Sequence, residues 1–291
     1  METAVIFSNH FRSFKEIFPT VSNYYRDCDL YLSTYNENYD YFTFKEKLDL
    51  INKHKNKDKV ELRKIRASYT PLPEDSVKFI KNVFDDRKFE IVTEDDFQNW
   101  YDNTTTNNKN LKFNSIQETF FHYGQFWSKL RGLELVKNSG IHYDFVIFNR
   151  CDIIPTSNSY LDIVNAFNSL QKSGENTLLA HKISLKEGML YVNNQYFGCK
   201  YNDAVKIFNI FSNKLEELFE NPLFLNFKTE KSLNSFHFFG LLLQYAGMNV
   251  KTTDFFYEQK IRKEHIVRGI NLLDKKARQN LRLEENKLFS L

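Results

Sequence analysis

Cysteine is scarce in this sequence, and the three that occur, Cys28, Cys151 and Cys199, are widely separated among 291 residues. Their spacing matches none of the paired patterns that hold structural zinc. We therefore interpret them as reduced thiols of a cytosolic protein. Cys151 lies between two side chains of functional type, and we interpret it as a small buried residue rather than as a nucleophile.

Long apolar runs are also absent, since none approaches the ~20 residues that a membrane-spanning helix needs. The first residues lack the basic-then-apolar order of a secretion signal, and a strand is predicted almost at once, at Thr3. These absences predict a soluble, cytoplasmic protein. Peripheral contact with the inner face of a membrane stays open.

Dense basic segments are missing as well. The chain has 40 basic and 37 acidic residues, a net charge of +3 with histidine neutral. Its most basic stretch, 53–64, is interrupted by Asp58 and Glu61, which is typical of a solvated surface segment. Nucleic acid is therefore not expected as a partner.

Short apolar runs alternate with segments of helical periodicity along the chain. The predicted strands are 3–8, 29–34, 88–92, 145–148, 177–180 and 249–252, and the predicted helices are 41–52, 74–84, 115–137, 161–170, 202–219 and 232–246. This alternation predicts an α/β fold with a mostly parallel central sheet and helices on both faces. No repeat or clean linker occurs, so we expect a single domain over 1–271 and a peripheral helical tail over 272–291.

The most informative segment is Tyr143–Pro155, in which the apolar run Phe145–Phe148 ends in Asn149-Arg150-Cys151-Asp152. A short, continuous run of this kind is typical of a fully buried strand. Ligands of open α/β sheets bind where the strands end. A carboxylate there can hold a divalent cation that neutralises a diphosphate, and an arginine can grip a phosphate through two parallel hydrogen bonds. The segment therefore predicts phosphate-ester chemistry.

Four segments together resemble nucleotide-sugar-dependent glycosyltransferases of the GT-A type, near the bacterial and viral enzymes that build surface polysaccharides. Val5–Phe14 is similar to their strand followed by Gly-Gln-x-Arg-Thr-Phe, and Tyr143–Pro155 to their Tyr-Asp-x-(Val/Ile)-x-x-x-Arg-x-Asp. Asn193–Gly198 is similar to Asn-Asp-x-Phe-x-x-Gly. The fourth segment is an apolar helix ending in 246–250, followed by the basic stretch 262–268.

Three positions depart from these patterns. Arg150 replaces the first acid of the usual Asp-x-Asp motif of this fold, Asn194 replaces an acid of the third segment, and Asn9-His10 replaces Gly-Gln. Asp152 keeps the position that is expected to touch the metal. Arg150 is then expected to contact a phosphate or the donor.

The resemblance implies transfer of a sugar from a nucleoside-diphosphate donor, with UDP first and GDP second, to a hydroxyl of a glycan or glycolipid. It implies Mn²⁺ or Mg²⁺ as cofactor, with Asp152 and His265 as ligands. Asn193, Asn194 and Gln195 are expected to line the acceptor side. The residues expected to bind the donor are Ser8, His10, Arg12, Gln125, Lys129, Asn149, Arg150 and Asp152.

The catalytic base and several roles stay open. An inverting enzyme needs a carboxylate that deprotonates the acceptor hydroxyl, and Glu187 and Asp254 are the candidates, with Glu230 as a third. A retaining enzyme would need no base at that position. Gln125 and Lys129 are equally typical of solvated positions one helical turn apart. The alternative for Arg12 is an ordinary surface arginine.

Two other functions fit the same fold. A sugar-1-phosphate nucleotidyltransferase would carry a glycine-rich basic loop after the first strand, and Ser8–Phe11 has no glycine. A non-catalytic carbohydrate-binding or assembly protein is favoured by the missing first acid and disfavoured by the retained Asp152.

Overall fold

The computed structural model describes residues 2–41, 67–105, 116–155, 160–172, 176–180, 183–186, 189–222, 235–252 and 258–260, with positions 45, 46, 49 and 280. The strands are β1 (Thr3–Asn9), β2 (Asp29–Tyr35), β3 (Glu37–Tyr41), β4 (Ala67–Pro71), β5 (Phe89–Val92), β6 (Phe145–Arg150), β7 (Ile153–Pro155), β8 (Thr177–Ala180), β9 (Ile183–Lys186), β10 (Met189–Val192), β11 (Tyr196–Lys200), β12 (Asn249–Thr252) and β13 (Glu258–Lys260). The helices are α1 (Phe14–Tyr24), α2 (Glu74–Val83), α3 (Glu94–Thr104), α4 (Ile116–Asn138), α5 (Tyr160–Lys172), α6 (Tyr201–Asn213), α7 (Leu215–Glu220) and α8 (Ser235–Tyr245).

Seven strands form the central sheet in the order β12-β8-β11-β6-β1-β2-β5. The neighbouring pairs are parallel except at β11, which runs antiparallel to both β6 and β8. The predicted α/β class with a mostly parallel central sheet is therefore confirmed. No described helix is long and apolar enough to cross a membrane.

Helices cover both faces of this sheet, as predicted. Successive side chains of a strand point to opposite faces, and in β1 this sends Ala4 and Ile6 into the core shared with α4, α6 and α8. Val5 and Phe7 enter the opposite core, which is shared with α1, α2 and α5. All four side chains are fully buried, so β1 lies at the centre of the molecule.

The strand order reverses direction at β1 and β6. From β1 the chain crosses through α1 to β2 on one side of it, and it later returns through α4 to β6 on the other side. Such a reversal of strand order is a topological switch point, where ligands of open α/β sheets bind. The polar residues that follow β1 and β6 therefore lie beside the expected ligand site.

Several elements differ from the sequence predictions. The strand β11, which begins after Gln195, is not among the predicted strands. It pairs with β6 and β8 on its two sides, although its sequence has neither a helical nor an alternating apolar pattern. The predicted helix 202–219 is interrupted at Lys214, which separates α6 from α7. The predicted helix 41–52 lies largely outside the described residues, and its first residue, Tyr41, ends β3, which pairs with β4. The predicted tail, apart from position 280, also lies outside them.

Helix α4 approaches β1 very closely at Gly132. A Cβ atom at this position would lie 2.3 Å from Ile6 Cγ2, far inside van der Waals contact. We expect Gly132→Ala to destabilise the fold by ~1–3 kcal/mol, the usual cost of overpacking, although alanine is the better helix former by ~1 kcal/mol. Urea unfolding followed by circular dichroism measures the change, with Lys137→Ala at an exposed position of α4 as control. Unchanged stability of Gly132→Ala would show that α4 can shift outward.

Candidate anion-binding site

The loop after β1 is shaped by two residues in left-handed backbone conformations. Asn9 has φ of 84° and Arg12 has φ of 48°, values that non-glycine residues seldom adopt and that cluster at functional sites. Hydrogen bonds hold the turn: Asn9 Oδ1 accepts from the backbone N–H of His10 at 2.8 Å, and Thr34 Oγ1 donates to Asn9 O at 2.8 Å. The loop thereby brings Arg12 into an ion pair in which Nη1 donates to Asp152 Oδ2 at 2.7 Å.

The end of β6 supplies the second arginine. The Arg150 guanidinium donates two hydrogen bonds to Asp152, from Nε to Oδ1 at 2.5 Å and from Nη2 to Oδ2 at 2.6 Å. The backbone at the end of β6 is hydrogen-bonded on both sides, because Cys151 N–H donates to Ser8 O at 3.2 Å and Arg150 N–H donates to Gln195 O at 3.1 Å. Asp152 is 1% exposed, so both guanidinium groups meet a buried carboxylate.

Lys129, on helix α4, supplies a third cationic side chain. Its side chain is completely buried, so the alternative of a solvated position is wrong. Nζ donates to Gln125 O at 3.0 Å, and among the described residues no carboxylate forms an ion pair with it. Burial, and then the positive charge of Arg150, lowers the pKa of Lys129 from 10.5 to about 7. Helix α4 packs on the face of the sheet that carries Phe148, and this is also the face to which Arg150 is directed.

We call Arg12, Lys129, Arg150 and Asp152 the basic cluster. Within the described part of the chain, it comprises three cationic side chains and one carboxylate, all of them nearly or fully buried. A charge removed from water is costly unless an opposite charge meets it. The cluster is therefore suited to an anionic ligand.

Ser8 adds a hydroxyl to this side of the sheet. It pairs with Arg150 in the β1–β6 register, and its Oγ is buried without a hydrogen-bond partner among the described residues. Buried hydroxyls are rarely left unpaired, and a hydroxyl can donate to a phosphate oxygen. The role of Ser8 in donor binding stays a prediction.

Asn149 is directed to the other face of the sheet. Its Nδ2 contacts Tyr25 Oη at 3.5 Å and Ile153 O at 3.4 Å, and Tyr25 in turn donates to Tyr196 Oη at 2.9 Å. Neighbouring strand residues alternate between faces, so Asn149 lies opposite to Arg150. Its contacts hold the turn from β6 to β7, and the structure does not bring its side chain into the basic cluster.

His10 is held as a neutral ring beside the cluster. Nδ1 lies 2.8 Å from Glu37 O, so this nitrogen carries the proton, and the ring centroid lies 5.1 Å from that of Tyr35. Burial, and then the charge of Arg12, lowers the pKa of His10 from 6.5 to about 3. His10 therefore adds no positive charge at neutral pH.

The depressed pKa of His10 makes the stability of the fold dependent on pH. Between pH 6.5 and about 3 the unfolded chain binds a proton that the folded chain does not, so stability is full above pH 6.5 and falls with pH. At about pH 5 the loss is roughly 2 kcal/mol, at ~1.4 kcal/mol for each unit. In His10→Asn, an amide Nδ2–H that does not titrate takes the place of the histidine Nδ1–H. Urea unfolding above pH 6.5 and at about pH 5 is therefore expected to show no such loss of stability in the variant. Equal losses in the parent protein and in His10→Asn would contradict the assignment to His10.

The segment Asn193–Gln195 lies beside the C-terminal end of β6. Asn193 Oδ1 accepts from the backbone N–H of Gln195 at 2.9 Å, and Asn194 Nδ2 donates to Ser235 O at 3.2 Å. Asn194 Oδ1 is buried without a partner among the described residues. The antiparallel direction of β11 is what brings this segment beside the end of β6, and its acceptor role stays a prediction.

The remaining predicted residues separate into two groups. Gln125 contacts Lys129 through its backbone carbonyl, and its side chain is half-buried. The predicted base and ligand positions Glu187, Glu230, Asp254 and His265 lie outside the described residues.

Cys151 is fully buried, in agreement with its interpretation as a packing residue. Burial, and then the charge of Asp152, raises the pKa of the Cys151 thiol well above its usual range. The thiol therefore stays protonated at neutral pH, whereas nucleophilic attack needs the thiolate.

The donor set does not fit a divalent cation in this arrangement. Both oxygens of Asp152 are held by guanidinium groups, which would repel a metal ion. Among the described residues, no group of three or more His, Cys, Asp or Glu side chains is arranged to hold one. A metal at Asp152 would first require both ion pairs to open.

Comparison with known proteins gives similarity in fold alone. No protein-family model matches the chain, and no curated protein matches its sequence. The galactosyltransferase LgtC, in complex with donor and acceptor sugar analogues, aligns with a TM-score of 0.41 and 10% identity over 86% of this chain and 73% of its own. The 4-diphosphocytidyl-2C-methyl-D-erythritol synthase of Anaerococcus prevotii DSM 20548 aligns with a TM-score of 0.36 and 11% identity over 92% and 93%. The functional interpretation therefore rests on the site itself.

Proposed function

We propose that this protein is a glycosyltransferase that moves a sugar from a nucleoside-diphosphate donor to a hydroxyl of a glycan or glycolipid. One observation carries the proposal: Arg12 and Arg150 meet one buried carboxylate, Asp152, at the ends of β1 and β6, on the face of the sheet that α4 covers with the buried Lys129. A diphosphate has the negative charge and the oxygen acceptors to bind these three side chains. The resemblance of four sequence segments to GT-A enzymes supports the same function.

The chemistry of transfer needs such a site. Breaking the bond between the sugar and the diphosphate develops negative charge on the leaving phosphate. Guanidinium and ammonium groups fixed in a buried site stabilise that charge, usually the largest contribution to catalysis. Arg12 and Arg150 are held in place by Asp152 before any ligand binds, so little reorganisation is needed.

The acceptor and the base complete the proposal. Asn193–Gln195 lies beside Arg150, so an acceptor bound there would face the donor sugar. Glu187 and Asp254 remain the candidate bases for an inverting reaction. UDP-sugars are the first candidates as donors and GDP-sugars the second, and the acceptor class of surface polysaccharide or glycolipid follows from the resemblance. The resemblance also implies Mn²⁺ or Mg²⁺, but Asp152 in its ion pairs with Arg12 and Arg150 does not fit a divalent cation.

A panel of nucleotide sugars tests the function. The full chain is incubated with each UDP- and GDP-sugar and a mixed set of glycan and glycolipid acceptors, with and without Mn²⁺, and nucleoside diphosphate release is measured. Acceptor-dependent release from one donor is expected. Pyrophosphate release from a nucleoside triphosphate and a sugar 1-phosphate would instead identify a nucleotidyltransferase. Binding of free glycans without any response to nucleotides would identify a non-catalytic binding protein.

A further inference from the structure

We propose that the donor diphosphate is bound directly by Arg12, Lys129 and Arg150, without a divalent metal between the phosphate and the protein. The inference rests on the proposed function and specifies how that site binds its donor. Its first support is that both carboxylate oxygens of Asp152 already accept hydrogen bonds. Oδ1 accepts from Arg150 Nε, and Oδ2 accepts from both Arg150 Nη2 and Arg12 Nη1. The carboxylate that would be the metal ligand is used to orient two arginines.

Charge gives the second support. Arg150 stands where the Asp-x-Asp pattern has its first acid, and exchange of an acid for an arginine raises the charge of the site by two units. Two units is also the charge of Mn²⁺ or Mg²⁺. A divalent cation added beside Asp152 would therefore lie next to two guanidinium groups in a buried region, where like charges repel strongly.

Lys129 gives the third support, from an element independent of the β6 segment. It is completely buried and, among the residues that the structure describes, has no carboxylate in an ion pair. With Lys129 protonated, the cluster carries three positive charges and one negative, a net charge of +2. This charge complements a diphosphate directly, and Ser8 Oγ on the same face supplies a hydroxyl donor.

Titration of the full chain with UDP and GDP by calorimetry, in excess EDTA and again in MnCl₂, tests the inference. We expect the affinity for the preferred nucleotide to agree between the two conditions within about threefold, which is less than ~0.7 kcal/mol. Binding that appears only with Mn²⁺ would overturn the inference and leave the proposed function standing. No binding of either nucleotide under both conditions would overturn the proposed function together with the inference.

Asp152→Asn gives a second test, in which the affinity of the variant for UDP is measured in EDTA and in MnCl₂. If Asp152 orients the arginines and binds no metal, the substitution is expected to change the affinity by the same factor in both conditions. If Asp152 is a metal ligand, the variant loses affinity by tenfold or more in MnCl₂ alone, which would overturn the inference. Electron paramagnetic resonance of Mn²⁺ mixed with the nucleotide-free protein adds a direct readout: we expect the free-ion signal to remain, and its loss would contradict the proposal.

Discussion

Lys129→Met is expected to weaken binding of the nucleoside diphosphate while making the ligand-free protein more stable. The loss of a buried charge partner for the ligand costs ~2–5 kcal/mol, which corresponds to a decrease in affinity of about thirtyfold to several thousandfold. Methionine fills a similar volume without a charge to bury. The ligand-free chain should therefore gain ~1–4 kcal/mol, as buried charges replaced by apolar groups often give.

Calorimetric titration and urea unfolding of the same preparation measure the two effects. Lys137→Met is the matched control, because Lys137 lies on the same helix and is exposed, and neither quantity should change in it. The opposite signs of the two effects are diagnostic of a binding residue. A Lys129→Met chain that binds the diphosphate as tightly as the parent, or that is less stable, would show that Lys129 serves the fold alone.

Gly240→Ala is expected to destabilise the protein by ~3 kcal/mol or more, at the upper end of the usual overpacking cost. Helix α8 lies against β10 so closely that a Cβ atom at Gly240 would lie 1.6 Å from Leu190 O. Because the obstacle is backbone, no change of side-chain rotamer relieves it, and α8 and the β9–β10 hairpin must separate. Elsewhere in a helix the same substitution stabilises by ~1 kcal/mol.

Gly240→Ala is also expected to displace Asn194, in the segment predicted to line the acceptor side. Asn194 Nδ2 donates to Ser235 O at the start of α8, so displacement of the helix moves the segment that follows β10. Urea unfolding measures the stability, with Gln244→Ala at an exposed position of α8 as control. If Gly240→Ala unfolds at the same urea concentration as the parent, the close packing of α8 on β10 is contradicted.

Much of the fold followed from local signals in the sequence. The short apolar runs of β1 and β6 predict these strands within a residue or two. Thr93 and Asp96 have the short oxygen-bearing side chains that are typical of a helix N-terminus, and both serve as caps: the Thr93 hydroxyl accepts from Asp96 N–H at 3.0 Å, and Thr93 N–H donates to Asp96 Oδ2 at 2.8 Å. These features depend on neighbours in the chain, which a sequence displays directly.

What escaped prediction depends on distant partners. The spacing of Phe126, Leu130 and Leu133 along α4 extends to Lys137 in the sequence, but the structure exposes Lys137 and buries Val136 instead. Lys129 lies three residues after Phe126 and four before Leu133, both buried, so its spacing indicated burial while its charge indicated exposure. The anionic ligand proposed for the basic cluster would reconcile the two.

Strand β11 and the pairing of Asp152 are further examples. Tyr196–Lys200 contains a central glycine and no clear alternation, and it becomes a strand because β6 and β8 provide partners on both sides. The position of Asp152 after β6 made it a candidate functional residue in the sequence. It did not show that Arg12, 140 residues away along the chain, binds the same carboxylate.

The structure of the full chain with its nucleotide-sugar donor bound tests the central claim most directly. The diphosphate is expected within hydrogen-bond distance of the Arg12 and Arg150 guanidinium groups and of Lys129 Nζ, at the ends of β1 and β6, with the sugar directed toward Asn193–Gln195. A diphosphate bound elsewhere on the chain, with the three cations untouched, would contradict it.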